Sequence, residues 1–242
     1  MMIEEADVGG IGVRPFQSLA ECALYVLERV ASGQGGFAVA INAEKVVSCR
    51  RDADSKRVVE AATLRYPDGA GVVLALRLKG APSVRVPGAD LWVELLRQGA
   101  GRDLSVALIG AAPDVLAATQ RRLAREFPGV RVVIARDGFS GVANSADLAA
   151  DIRTHQPQVI FVAMGSPRQE TLILKLREVH AGGFYFGLGG SFDVFSGYKR
   201  RAPRFMQRMG LEWLYRFLSE PTRARRETKR LAFLALLLQG RL

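Results

Sequence analysis

The 242-residue chain has only two cysteines and two histidines. Cys22 and Cys49 are too few and too far apart for a disulfide framework, which points to a reducing, cytoplasmic setting. Neither His155 nor His180 stands at metal-ligand spacing from a cysteine, so neither suggests a metal site. Long apolar runs are missing too. The longest, Leu231 to Leu238, falls well short of the roughly 20 residues a membrane-spanning helix needs. The acidic start MMIEEADVGG lacks the apolar core of a signal peptide, so a soluble or peripheral chain is expected. The common nucleotide fingerprints are also absent. No G-x-x-x-x-G-K-[ST] occurs, which argues against a P-loop nucleotidase. No G-x-G-x-x-G opens a helix with an acid about twenty residues further on, which disfavours a dinucleotide dehydrogenase.

A hydrophobic content of 49% is enough for a substantial core and argues against disorder. The net charge of +10 is unevenly spread. Phe195 to Leu242 holds twelve Lys or Arg against three Glu, leaving the first 194 residues close to neutral. Any anionic partner is therefore met by the C-terminal fifth of the chain.

One unit recurs: a β-branched or aromatic run, a glycine turn, a helical stretch. FAVAIN (37–42), SVALIG (105–110), RVVIA (131–135), QVIFVAMG (158–165) and GFYFGLGG (183–190) read as strands, with helices of about ten to fifteen residues between them. That alternation predicts an α/β fold, a Rossmann-like parallel sheet with flanking helices. After Ser196 no strand signal remains. Two helices are expected there, about 203–219 and 222–239, broken at Glu220-Pro221. The expected organisation is a core over 1–195 and a basic amphipathic helical appendage over 196–242.

In a parallel α/β sheet, ligands bind beyond the strands' C-terminal ends, where glycine turns meet helix N-termini that attract phosphate. Three turns qualify: Gly110-Ala111-Ala112, Gly165-Ser166-Pro167 and Gly187-Leu188-Gly189-Gly190-Ser191. Gly110, Ala111, Gly165, Gly187 and Gly189 are accordingly candidate nucleotide-binding positions, joined by Asp137 and Gly138 of ARDGFS. Asp52-Ala53-Asp54 spells D-x-D, a pattern associated with metal-dependent sugar transferases, but its polar setting between two helices reads as a helix N-cap. Asn42 ends a strand where an apolar residue would pack better. Gln169, in the first turn after MGSP, gains nothing from the helix dipole, unlike Glu170, and is the better candidate for a ligand hydrogen bond. Asp68 sits in Pro-Asp-Gly, which suits a tight turn for backbone reasons alone.

These stretches together resemble the WecG/TagA/CpsF glycosyltransferase family. INAEKVV, YPDGAGVVLALRLKG, RVPGADLW, VALIGAAPDV, ARDGFS, VIFVAMGSPRQE, GLGGSFDVFSG and KRRAPRFMQRMGLEWLYRFLSEPTRARRE occur in the family's order and spacing. The resemblance implies a metal-independent, inverting transfer of a hexose-type sugar from a UDP-sugar. Its acceptor is a sugar on an undecaprenyl diphosphate carrier at the inner face of the cytoplasmic membrane. It implies that Asp68 is the general base, that Asn42, Arg85 and Gln169 bind substrate, and that Arg216, Arg223 and Arg226 of the appendage meet the donor diphosphate. It implies no cofactor. The appendage is expected to dock on an anionic membrane surface and help close the active site, and a homo-oligomer off the membrane is compatible with this reading. Members commonly carry Thr-Val-Asn where this chain has Ala40-Ile41-Asn42, so N-acetylmannosamine, its uronic acid or a glucose-like hexose all remain open as donor.

The chemistry agrees with this division of labour. A sugar hydroxyl needs a positioned carboxylate to take its proton, and departing UDP needs cations or helix N-termini. Two other readings compete with this one. A nucleic-acid-binding module is disfavoured because Phe205, Trp213 and Phe217 read as one helix face, not a stacking platform. An inactive scaffold of the same fold is kept open by Ala40.

Overall fold

Apolar runs rich in Val, Ile and Phe become strands, and the longer amphipathic stretches between them become helices. The computed structural model of the protein describes residues 5–143, 145–203, 205, 206, 215 and 224–242, with the backbone alone at 143, 145 and 224–227. A short antiparallel hairpin, β1 (Ala6–Asp7) with β2 (Gly12–Val13), precedes α1 (Leu19–Ala31). Next come β3 (Gly36–Ile41), α2 (Ala43–Cys49), α3 (Ala53–Glu60), β4 (Leu64–Pro67), α4 (Ala70–Leu78) and α5 (Gly88–Gly99). Strands then alternate with helices: β5 (Ser105–Gly110), α6 (Pro113–Glu126), β6 (Arg131–Arg136), α7 (Ser140–Ala143) and α8 (Ser145–His155). They continue through β7 (Val159–Ala163), α9 (Arg168–Val179), β8 (Phe184–Gly187) and α10 (Ser191–Phe195). The last described helix is α11 (Ala224–Leu238).

Six strands form one sheet in the order β4-β3-β8-β7-β5-β6, with β3/β8, β8/β7, β7/β5 and β5/β6 parallel. This is the expected Rossmann-like α/β fold. From β5 the chain steps outward to β6, then returns past β5 to β7 and continues to β8. The order therefore reverses between β5 and β7, the kind of switch point at which open α/β sheets bind their ligands.

The chain divides into two compact units, one of residues 1–19, 40–87 and 200–242, the other of residues 20–39 and 88–199. In the second unit, α5 buries Leu91, Trp92, Leu95 and Leu96 on one stripe. The Trp92 ring meets Phe161, Phe192 and Phe195 at centroid distances of 5.6, 5.5 and 4.8 Å. Tyr185 of β8 is buried and donates its hydroxyl to the carbonyls of His180 (2.8 Å) and Leu176 (3.1 Å), tying the end of α9 to the sheet.

Burial pushes the Tyr185 hydroxyl well above its ordinary value, with Arg177 opposing. A raised folded-state pKa means that the hydroxyl's contribution is whole below the unfolded tyrosine value of about 10 and is lost as pH climbs past it. Tyr185→Phe is expected to cost about 1–2 kcal/mol in urea denaturation near neutral pH. The same variant should decline less than the wild type between neutral and strongly alkaline pH.

In the first unit, Phe16, Ile41, Leu64, Tyr66 and Val86 are buried. Asp52 caps α3 by accepting the Ser55 N–H (2.8 Å), so the D-x-D carboxylate is spent on a helix start. Of the two helices expected near the C-terminus, the second is α11. The first lies almost wholly outside the described residues.

Candidate active site

In the first unit the polar residues stand where β3 and β4 end. Asn42 directly follows β3 and caps α2, its Oδ1 accepting the Lys45 N–H at 2.9 Å. A cap explains why an amide stands where an apolar side chain was expected to pack better. Asp68 directly follows β4, and its N–H donates to the carbonyl of Ile41 at the end of β3 (2.9 Å). Gly69 follows it, and a methyl there would lie 3.2 Å from Asn42 Cα and Cβ. The missing side chain at Gly69 lets the starts of α2 and α4 converge.

Arg85 reaches this place from an extended segment rather than from a helix. Val84 N–H donates to Phe16 O (2.8 Å) and Val86 N–H donates to Pro67 O (2.7 Å), which fixes the backbone on both sides of it. Buried Ser83 adds a second clasp, accepting the Phe16 N–H (3.0 Å) and donating to Phe16 O (3.1 Å). Arg85 Nε then stands 3.8 Å from Asp68 Oδ1, an ion pair with each side chain about a quarter exposed. Three residues proposed from separate motifs are thus brought to one place, a carboxylate beside a guanidinium at the end of a strand. Ser83 was missed in the sequence, although a hydroxyl between Pro82 and Val84 in an otherwise apolar stretch is a readable signal.

In the second unit the loops after β5, β6, β7 and β8 are tied in series. Gly110 (φ +115°) and Ala111 (φ +60°) turn sharply at the end of β5, and the Ala111 N–H donates to Ala163 O at the end of β7 (2.9 Å). A methyl at Gly110 would lie 2.4 Å from that same carbonyl oxygen, so only glycine fits. Ala111 O in turn accepts the Gly138 N–H (2.8 Å). Asp137 builds its own loop, accepting the N–H of Phe139 (2.8 Å), the Ser140 hydroxyl (2.9 Å) and the N–H of Gly141 (2.9 Å). Those bonds, the Phe139 N–H foremost, hold its carboxyl below the usual range.

Gly165 (φ +74°) ends the turn after β7, and its carbonyl accepts the Gln169 N–H (3.0 Å). Gln169 is buried, and its Oε1 accepts the Gly189 N–H (2.8 Å). A methyl at Gly187 would lie 2.5 Å from Gln169 Nε2. The Gln169 amide oxygen is therefore engaged with the β8 loop, and Gly187 is small to admit the side chain. Arg216 and Arg223 lie outside the described residues. Arg226 lies in α11 with its side chain also outside them. Among the described residues no group of three or more His, Cys, Asp or Glu stands close enough to hold a metal ion. Nor is any described helix long and apolar enough to cross a membrane.

A parallel sheet flanked by helices, with glycine turns at its strand ends, defines the class as a Rossmann-like α/β protein. The family model described as "Glycosyl transferase WecG/TagA/CpsF family" matches residues 6–242, and the chain belongs to that family. It is a glycosyltransferase of cell-surface polysaccharide biosynthesis, using a sugar-nucleotide donor and a glycan acceptor.

Proposed function

We propose that the protein transfers a hexose, with inversion, from a UDP-sugar to a saccharide carried on undecaprenyl diphosphate. The acceptor hydroxyl gives its proton to the Asp68 carboxylate as its oxygen bonds to the sugar's anomeric carbon. The bond from that carbon to the diphosphate breaks, and UDP leaves with the electron pair. The observation that carries this reading is the Asp68–Arg85 pair at the end of β4, because it sets a partly exposed carboxylate beside a cation directly after a strand's C-terminal end. Asn42 orients substrate beside it. The glycine turns after β5, β6, β7 and β8 receive the donor diphosphate, and Gln169 fixes the last of these turns by accepting the Gly189 N–H. Arg216, Arg223 and Arg226 supply the cations for the departing charge, so the reaction needs no metal.

Peripheral attachment to the inner face of the cytoplasmic membrane is supported by two features. The C-terminal fifth of the chain carries nearly all the net charge, and Leu231, Leu234 and Leu238 are exposed on α11. The purified protein with a panel of UDP-hexoses and a lipid-diphosphate-linked sugar should add a single hexose by mass spectrometry, at an equal rate in EDTA, and faster on phosphatidylglycerol vesicles. Turnover abolished by EDTA would overturn the metal-free reading. No product with any UDP-hexose would overturn the donor assignment.

A further inference from the structure

Helix α11 does more than add charge to the first unit. It packs against α2 and α4, the two helices that start at Asn42 and just after Asp68. On the α2 side, Lys229 Nζ donates to Ser48 Oγ (2.8 Å), and Arg50 Nη2 donates to the Arg241 carbonyl (2.5 Å). On the α4 side the contact is apolar and close. Phe233 is only 3% exposed, while Leu231, Leu234 and Leu238 of the same helix face solvent. Its ring lies over Gly71, so that a methyl there would stand 2.8 Å from Phe233 Cε1 and 3.3 Å from Cδ1.

Gly71 is in the first turn of α4, three residues after Asp68. The sequence Asp68-Gly69-Ala70-Gly71 has two glycines within four residues, a stretch with little intrinsic stiffness. Gly69 is packed against Asn42, and Gly71 against Phe233. The backbone carrying Asp68 is thus held on its C-terminal side by an aromatic ring from the end of the chain.

We infer that Phe233 is a positioning residue for Asp68, seated on Gly71 so that docking of α11 sets the aim of the carboxylate. This rests on the reading of Asp68 as the base. A ring removed from this place leaves the fold of the strand end but loosens the turn that presents the carboxylate. Misplacement on the ångström scale costs rate more than it costs binding.

The full-length protein is assayed for UDP release, with folded fraction followed by circular dichroism. Phe233→Ala should lower kcat roughly 10- to 100-fold and leave the donor KM within about threefold. Phe233→Leu, which keeps an apolar filling, should retain most of the activity. Gly71→Ala should reproduce the kcat loss because its new methyl collides with the ring. Adding Phe233→Leu to Gly71→Ala should recover most of the rate, since the smaller side chain gives way. An unchanged kcat in folded Phe233→Ala overturns the inference, as does a loss that merely tracks the unfolded fraction. So does a double variant no better than Gly71→Ala alone. Full turnover in Asp68→Asn would instead defeat the base assignment. An inactive Asp68→Asn beside a fully active Phe233→Ala would defeat only the positioning role.

Discussion

Asp68→Asn is expected to lower kcat by roughly 100- to 10,000-fold while the donor still binds. The substitution is close to isosteric. The hydrogen bond that places residue 68 comes from its backbone N–H to Ile41 O, which asparagine keeps. What disappears is the group able to accept the acceptor's proton. Stability should change little, because the lost ion pair with Arg85 is 3.8 Å long and partly exposed, a class of contact worth about 0–1 kcal/mol. A large loss of rate with an intact fold would therefore report chemistry and not unfolding. Steady-state UDP release, donor titration calorimetry and a melting curve on the same preparation separate these effects. Turnover near the wild-type value in a folded variant would remove Asp68 from the role of base.

Trp92→Ala is expected to have the largest effect on stability, about 3–5 kcal/mol. Trp92 is 1% exposed, and its ring is surrounded by Phe161 of β7 and by Phe192 and Phe195 of α10. Removing it deletes a large buried surface and three ring contacts, and leaves a cavity that rigid strands on one side cannot close. For a chain of this size the melting temperature should fall by roughly 6–20 °C. The effect extends to function, because α10 starts directly after the Gly187–Gly190 loop that Gln169 holds through the Gly189 N–H. A loosened α10 should weaken donor affinity even under conditions where the variant is folded. Trp92→Phe, which refills most of the space, should lose much less. Guanidinium denaturation gives the first quantity and calorimetric donor titration the second. A loss under 1 kcal/mol would show that this cluster is not the keystone of its unit.

Much of the fold was legible in the sequence because it is written in short-range signals. Strands such as SVALIG and QVIFVAMG are nearly continuous apolar runs closed by glycine, as a buried parallel sheet requires. The glycine turns expected after them stand at the strand ends in the structure. The cap at Asp52 was readable for the same reason, since a cap and its helix are neighbours in sequence.

What was not legible depends on residues far apart along the chain. Arg85 and Asp68 were each singled out, but their pairing depends on Val84 and Val86 being hydrogen-bonded to Phe16 and Pro67. No local pattern encodes that registration. Asn42 and Gln169 were noticed as polar residues at odds with their surroundings. The structure gives each amide oxygen a partner inside the protein, the Lys45 N–H and the Gly189 N–H, and the second of these joins residues twenty positions apart, which local polarity does not encode. Gly71 packs under Phe233 from the far end of the sequence, a contact that no local pattern encodes. The stripe of α5 that carries Trp92, at Leu91, Trp92, Leu95 and Leu96, has a helical period that is itself legible in the sequence.

The most direct test of the account is a single-turnover experiment with enzyme in excess over UDP-hexose and saturating lipid-diphosphate acceptor. Wild-type protein and Asp68→Asn are compared after donor binding has been verified for both. The account predicts transfer of the bound hexose by the wild type, and almost none in the same interval by the variant. Equal single-turnover rates would contradict it.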